Sequence, residues 1–454
     1  MPEPVTLAIL GAGERGRRVY GRWCLEHPDQ ARVVAVADPV ADRRERFAAE
    51  HGIGSERTFA GWHRLLEEER LADAVVVATP DREHAAAAVA ALDRGYEVVL
   101  EKPIAPTPDE MRAVVQAAER SAATVTVAHV LRYTPFFATL KAALDEGRIG
   151  ELVTIEHAER IGYWHFAHSF VRGSWRREDG ASPMLLAKAC HDLDLLRWLA
   201  GDRCTAVASF GGLRHFRPEE APAGVLDRCW DGERRCPVAG TCPFDAVRLY
   251  VQRTAELTQW PVSVVTDDPS RDGRLAALAS GPYGRCVYRS DNDVADHQLA
   301  ILEFANGVRA SLGVSGLTAD NTRTVLLTGT RGEMRGRLDT GEIEIRRFLP
   351  AADAPRSGPN WDRDELGRSA MRDDERVVLR TGAERQDGHG GGDDGLMADV
   401  VARLRARRDG EPGAREAART SLAASVESHR MAFAAERSRH ERRLVELTTD
   451  GPGR

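Results

Sequence analysis

Val5-Thr6-Leu7-Ala8-Ile9-Leu10 is an apolar run that leads straight into Gly11-Ala12-Gly13-Glu14-Arg15-Gly16, and a helical pattern follows through Val19, Tyr20, Trp23 and Leu25. Strand, G-x-G-x-x-G and helix in that order constrain a fold more than any other feature of this chain. The first glycine permits a tight turn, the second lets a pyrophosphate approach the backbone, and the third lets the helix pack closely on the strand. The helix N-terminus favours the anion. A second run, Arg32-Val33-Val34-Ala35-Val36-Ala37, ends at Asp38, 22 residues after Gly16. An acid there accepts hydrogen bonds from adenosine ribose hydroxyls and repels a 2′-phosphate, which favours NAD. Arg43 and Arg44 follow closely and keep NADP open. The competing reading of Asp38 is a helix N-cap in Asp38-Pro39.

The same alternation continues. Ala41 to His51 reads as a helix, Asp73 to Ala78 as a strand ending at Thr79-Pro80, and Asp81 to Gly95 as an alanine-rich helix. Val98-Val99-Leu100 is a strand stopped by Glu101-Lys102-Pro103, Thr107-Pro108-Asp109-Glu110 starts a helix, and Thr124 to Ala128 is a strand ending at His129. Alternation of this kind predicts a doubly wound parallel sheet. Thr79, Lys102 and His129 then fall at strand C-termini, where such sheets bind ligands. Lysine occurs three times, at 102, 141 and 188, among 63 Lys and Arg residues. A chain so biased to arginine keeps lysine where a bulkier, always protonated guanidinium will not serve. Lys141, with Asp145 four residues on, reads as a solvated helical pair.

Composition excludes several classes. A net charge of −7 and a pI near 6.1 imply no field for nucleic acid. No apolar run approaches a membrane span, and seven cysteines, an odd number, argue against a secreted disulfide framework. The expectation is a soluble cytoplasmic protein.

Gly11–Gly16 with Arg15, Ala78-Thr79-Pro80 with His84, and Glu101-Lys102-Pro103 together resemble the Gfo/Idh/MocA oxidoreductases, the glucose–fructose oxidoreductase and inositol dehydrogenase group. The resemblance implies a Rossmann domain followed by an α/β domain with an open, mostly antiparallel sheet. It also implies NAD(P), a sugar-like or cyclitol substrate, a homo-oligomer (dimer or tetramer), and a lysine at position 102 beside nicotinamide and substrate. The cofactor set expected is Gly11, Gly13, Arg15, Gly16, Asp38, Thr79, Pro80, His84, Glu101, Lys102 and His129. The expected division is 1–128 for cofactor, 129–350 for substrate and oligomerisation with a cysteine-containing insert at about 213–285, a variable surface segment 351–388, and a glycine-rich loop with helices over 389–441.

In the second part, Arg132 and Tyr133 follow the sixth strand, in a region that the resemblance places at the border of the nicotinamide pocket. Arg132 is read as a clamp for substrate oxygens and Tyr133 as a stacking or donating group; ordinary packing is the alternative. Tyr163 to Arg177 is crowded with aromatics, histidines and arginines, suited to sugar C–H faces and to carboxylate or hydroxyl, or to a subunit interface. Arg172, Trp175 and Arg176 are the substrate candidates there. Met184 to Leu199 has apolar residues at helical spacing, with Lys188 and His191 three apart on one face. A neutral His191 takes a hydroxyl proton, and a nearby ammonium helps keep it neutral. The resemblance makes this the catalytic histidine; Ala187 stands where many relatives have Asp. Lys102, His191 and Lys188 are the catalytic set, and His191 also faces substrate. Asp192 and Asp194 are read as orienting His191 or capping loops.

Cys229, Cys236 and Cys242 form C-x6-C-x5-C. They are read as a structural zinc site with His215 or Cys286 as fourth ligand, against buried reduced cysteines. Gly388 to Gly395 is read as a hinge, or as a close-approaching backbone that brings His389 and Asp393 to substrate hydroxyls. The sequence therefore points to an NAD(P)-dependent dehydrogenase of a sugar, sugar acid or cyclitol. A redox-neutral glycosidase, lyase or epimerase working through a transient keto-sugar, and a non-catalytic sugar or nucleotide sensor, are the alternatives.

Overall fold

The computed structural model describes residues 3–349, 374–382, 389–411 and 418–448, with the backbone also of 361–363 and 369–371. Six parallel strands form the first sheet: β1 (Val5–Leu10), β2 (Ala31–Ala37), β3 (Thr58–Phe59), β4 (Ala74–Val77), β5 (Glu97–Leu100) and β6 (Val125–Val127), in the order β3-β2-β1-β4-β5-β6. Apart from Thr6 the central strands β1 and β4 are apolar, as a sheet covered on both faces requires. The order reverses between β2 and β4 around β1, so a crevice opens beyond the C-terminal end of β1, where the glycine loop lies.

The second sheet has nine strands. They are β7 (Leu152–Gly162), β8 (Cys204–Gly212), β9 (His297–Phe304), β10 (Arg309–Thr318), β11 (Thr322–Gly329), β12 (Gly332–Arg337) and β13 (Glu342–Phe348), then, after the short ladder of β14 (Trp361–Arg363) with β15 (Ser369–Met371), β16 (Asp374–Arg380) and β17 (Val445–Glu446). Their order is β16-β13-β12-β11-β7-β10-β9-β8-β17, and only β7 with β10 is parallel. Strand alternation buries one face: in β9, Gln298, Ala300, Leu302 and Phe304 are inside, while Leu299 and Ile301 are outside.

Two features depart from the expected division. Most of 351–388 lies outside the described residues, but 374–380 is an edge strand of the second sheet rather than surface excursion. The C-terminal helices are not a separate part. Helix Gly392–Arg408 packs Leu396, Met397, Val400, Val401 and Leu404 into one core of the first sheet. Helix Leu422–Glu441 sends Leu422 to the other core of that sheet and Met431, Ala432 and Ala435 to the core of the second. Each Leu or Val buried this way contributes about 1.5–3 kcal/mol. The end of the chain is thus a clamp across both sheets.

Candidate functional site

The glycine loop is fixed by backbone geometry. Gly11 has φ +97°, and a Cβ there would lie 2.4 Å from the Ala78 carbonyl oxygen. A Cβ on Gly16 would strike the Gly11 carbonyl at 1.8 Å. Gly13 differs, since no protein atom lies within 4 Å of its Cβ direction. Its open side is the approach a pyrophosphate needs. Asp38 is buried and is not the cap of the following helix. Its carboxylate accepts from the Ala12 and Val40 amides, each at 2.8 Å, while Arg44 donates to its backbone carbonyl. Thr79 Oγ1 is buried at the strand end with no partner among the described residues. An open loop, a buried acid at the end of β2 and an orphaned hydroxyl fit a dinucleotide.

Behind the loop is a charged brace. Arg15 donates to Glu101 and to both oxygens of Asp393, and Tyr20 donates to Glu101 at 2.7 Å. Burial pushes the Glu101 carboxyl up, but Arg15, Lys102 and these hydrogen bonds outweigh it and hold the carboxyl below its ordinary value. Asp393 behaves alike: burial opposes its charge, Arg15 and His389 restore it, and it titrates well below the carboxylate range. His84, expected at the cofactor, is instead a buried tie between the Pro103 and Thr79 carbonyls, at 2.6 and 2.8 Å. Glu101 is likewise an anchor for the loop. Pro80 is exposed.

Lys102 precedes Pro103 and donates from Nζ to the Ala187 carbonyl at 2.8 Å, with the Trp175 ring 5.7 Å away. That carbonyl is available because the expected helix 184–199 breaks. Met184–Ala187 and Cys190–Ala200 are separate helices, with Ala189 at φ −88°, ψ 7° between them. The break turns Lys188 away from the spacing argument. Its Nζ approaches Glu159 at 3.5 Å, and burial chiefly, then Arg323 and Lys102, lower its pKa against the pull of Glu159. His191 is buried with both ring nitrogens unpartnered among the described residues. Burial first, then Lys102, His129 and His389, hold it well below its ordinary pKa. His129 and His389 flank it, ring centroids 5.6 and 5.7 Å away. His389 bonds Asp393 at 3.0 Å.

Other expected roles change. Arg132 is buried in a bidentate pair with Asp194, both bonds 2.6 Å, with a third bond to the Arg419 carbonyl, so it is no clamp for substrate. Tyr133 is packed under the C-terminal helices, bonded to Asp399 and Thr420. Arg176 pairs with Asp291. Arg172 is buried among the cysteines, bonded to the Arg285 and Phe244 carbonyls. Of that segment's candidates Trp175 stands beside Lys102, its indole N–H on Asp81. Asp192 serves His157 and Arg323 rather than His191. Cys286 joins Cys229, Cys236 and Cys242 around one cavity; His215 instead bonds Tyr288. Among the described residues no three of those sulfurs lie within 4.8 Å of one another.

Several site groups were missed. Glu159 faces Arg323 directly across β7 and β11, and Arg323 bridges Glu159 and Asp192, each at 2.7 Å. The signal was present: alternation along β7 places His157 and Glu159 on the buried face with Ile155 and Ile161. His429 accepts from the Ile104 amide at 2.8 Å and so fixes the loop after Pro103 from the C-terminal helix.

Two family models match the chain, one after the other. The family model described as oxidoreductase family, NAD-binding Rossmann fold, matches residues 5–129, and that for its C-terminal alpha/beta domain matches 141–348. Inositol 2-dehydrogenase 4 of Saccharopolyspora erythraea is 33% identical over 49% of this chain and 60% of its own length. The scyllo-inositol 2-dehydrogenase (NAD(+)) of Bacillus subtilis is 26% identical over 46% and 58%. The chain thus spans less than two thirds of these enzymes. Levoglucosan dehydrogenase in complex with NADH shares the fold at TM-score 0.65 and 17% identity, over 98% of this chain and 99% of that one. Among the described residues no helix is long and apolar enough to cross a membrane. With both family models matched in order over most of its length, the chain belongs to the Gfo/Idh/MocA family of NAD-binding oxidoreductases.

Proposed function

We propose that the chain moves hydride between a nicotinamide and a hydroxyl or keto carbon of a sugar, sugar acid or cyclitol, with His191 as proton acceptor. The observation that carries this reading is His191 itself: a buried, neutral imidazole with two free nitrogens beside an ammonium. A buried polar group without a partner is costly, and a substrate hydroxyl would satisfy it. The nicotinamide, when bound, supplies the hydride acceptor. Lys102 has one N–H on Ala187 and two left for the reacting oxygen, which an ammonium there would hold and polarise. Lys188, fixed by Glu159, and Trp175 would complete the substrate wall. Dehydrogenases of inositol and levoglucosan among the relatives support the polyol class.

Asp38 supports NAD over NADP, because a 2′-phosphate would face its buried carboxylate. The functional division proposed is 1–128 for cofactor and 129–350 for substrate, with the helices of 389–441 tying the two. Exposed Phe210, Leu299 and Ile301, neighbours on the open face of β8 and β9, support association with a second copy.

The test is a screen of sugars, sugar acids and cyclitols that follows NADH absorbance and product mass together. Stoichiometric NADH and a ketone are expected. Cleavage or epimerisation without net NADH would replace this reading by the redox-neutral one, and binding without either product would leave only a sensor.

A further inference from the structure

We propose that Cys229, Cys236, Cys242 and Cys286 bind one zinc ion as a tetrathiolate, with the guanidinium of Arg172 as its buried counter-charge. Backbone hydrogen bonds bring the four together. The Cys229 amide donates to Gly284 and the Cys286 amide to Asp227, both at 2.8 Å, so these two lie on the paired strands of a small clip. The Cys236 amide donates to the Cys229 carbonyl at 3.1 Å, closing the first turn back on the clip. The Cys242 amide donates to Val238 at 3.0 Å and closes the second. Four of the seven cysteines thereby line one cavity of about 10 Å³. That is room for a single ion.

Arg172 supplies the independent observation. It is 1% exposed, and its Nη2 lies 3.5 Å from Cys229 Sγ. Among the described residues its polar neighbours are two carbonyls, a thiol and the Tyr250 hydroxyl, and no carboxylate pairs with it. A buried, uncompensated guanidinium costs several kcal/mol. Zinc held by four thiolates carries a net double negative charge and removes that cost. The sulfurs lie wider apart than bound zinc leaves them, so they must turn inward to reach Zn–S distances of about 2.3 Å.

The site also explains how the insert stays folded. Its outer part has a small core of its own, in which Cys229, Ala246, Val247, Tyr250 and Leu278 are buried. Small, loop-rich units of this kind need a staple. The same insert reaches the glycine-loop side of the cleft, through Ser263 to Glu14 at 3.0 Å, Gln259 to Arg18, and Asp267 to Arg46 at 2.8 Å.

The experiment is elemental analysis of the full chain, expressed with zinc and desalted under reducing conditions. About one zinc per chain is expected, lost from Cys236→Ser and Cys286→Ser and retained by Cys24→Ser, whose thiol lies in the first domain. If the serine variants do not fold, mercurial titration of the native protein decides. Zinc released as the thiols react supports the site. Thiols that react without releasing zinc, disulfides among these four cysteines, or iron with acid-labile sulfide in place of zinc would overturn it.

Discussion

The two walls of the proposed site are built by different rules. On the first wall, Gly11, Asp38, Thr79, Glu101 and Lys102 come from the ends of consecutive parallel strands. Topology alone gathers them: each crossover returns the chain to the same sheet edge, so a residue's place follows from its place in its own strand. On the second wall, Glu159, Lys188, His191 and Arg323 come from two strands and a broken helix, and His389 and Asp393 from the far end of the chain. Local pattern does not say which distant group will meet which. The difference is instructive for arginine. After the first domain a guanidinium that looks available in sequence finds a buried acid or carbonyl, as Arg132 finds Asp194 and Arg172 finds Phe244.

The largest effect is expected from His191→Asn. If the second wall contributes a proton acceptor, kcat falls about 10²–10⁴-fold while the affinity for NAD(H), measured by fluorescence, changes less than twofold. Thermal stability should hold, because the native ring makes no hydrogen bond that the variant loses. An equal fall in cofactor affinity would move His191 to the first wall.

Arg132→Met comes next and acts on stability. It leaves Asp194 buried and unpaired, and the loss should be about 3–5 kcal/mol in chemical denaturation. KM for substrate in the folded fraction should stay within about twofold. A raised KM at unchanged stability would restore the clamp that the residue type suggests.

These two variants mark what was legible. The doubly wound sheet could be read because apolar strand, turn and helix repeat in order, and Lys102 because a strand ends there in a chain nearly without lysine. His191 was legible as a residue but not for its geometry: the helix was read as continuous, and nothing local warns that it breaks at Lys188 and Ala189. The partner of Arg132 lies 62 residues away. The clamp role of the C-terminal helices was hidden for the same reason, since an apolar face does not name the core it enters.

A smaller effect sharpens the comparison through pH. His129, His168 and His429 have pKa values of about 3, lowered first by burial. Unfolding returns them to about 6.5. Between those values the unfolded chain binds protons that the folded chain does not, so stability rises with pH there and is lost as pH falls from 6.5 toward 3. Unfolding near pH 4.5 should take up about three protons from these histidines, and His429→Gln should remove about one, read from the pH slope of denaturation free energy. His429→Gln with an unchanged slope would mean that this ring is already charged in the folded chain.

Lys141→Arg is the smallest effect and the control for the lysine argument. Lys141 lies on helix Pro135–Asp145, its ammonium on the carboxylate of Asp145 four residues on, with the Trp198 ring 5.8 Å away. Nothing there needs a compact head group. A guanidinium reaches the same carboxylate and stacks on the same ring. The stability change should stay below about 0.5 kcal/mol, and turnover should not move. Lys102 has the opposite setting, partly buried between the Ala187 carbonyl and Trp175, where a bulkier planar head group has to replace a compact ammonium. Lys102→Arg should therefore cost at least about 10²-fold in kcat. If both replacements proved silent, scarcity of lysine would carry no information about function, and the first wall would rest on its glycine loop alone.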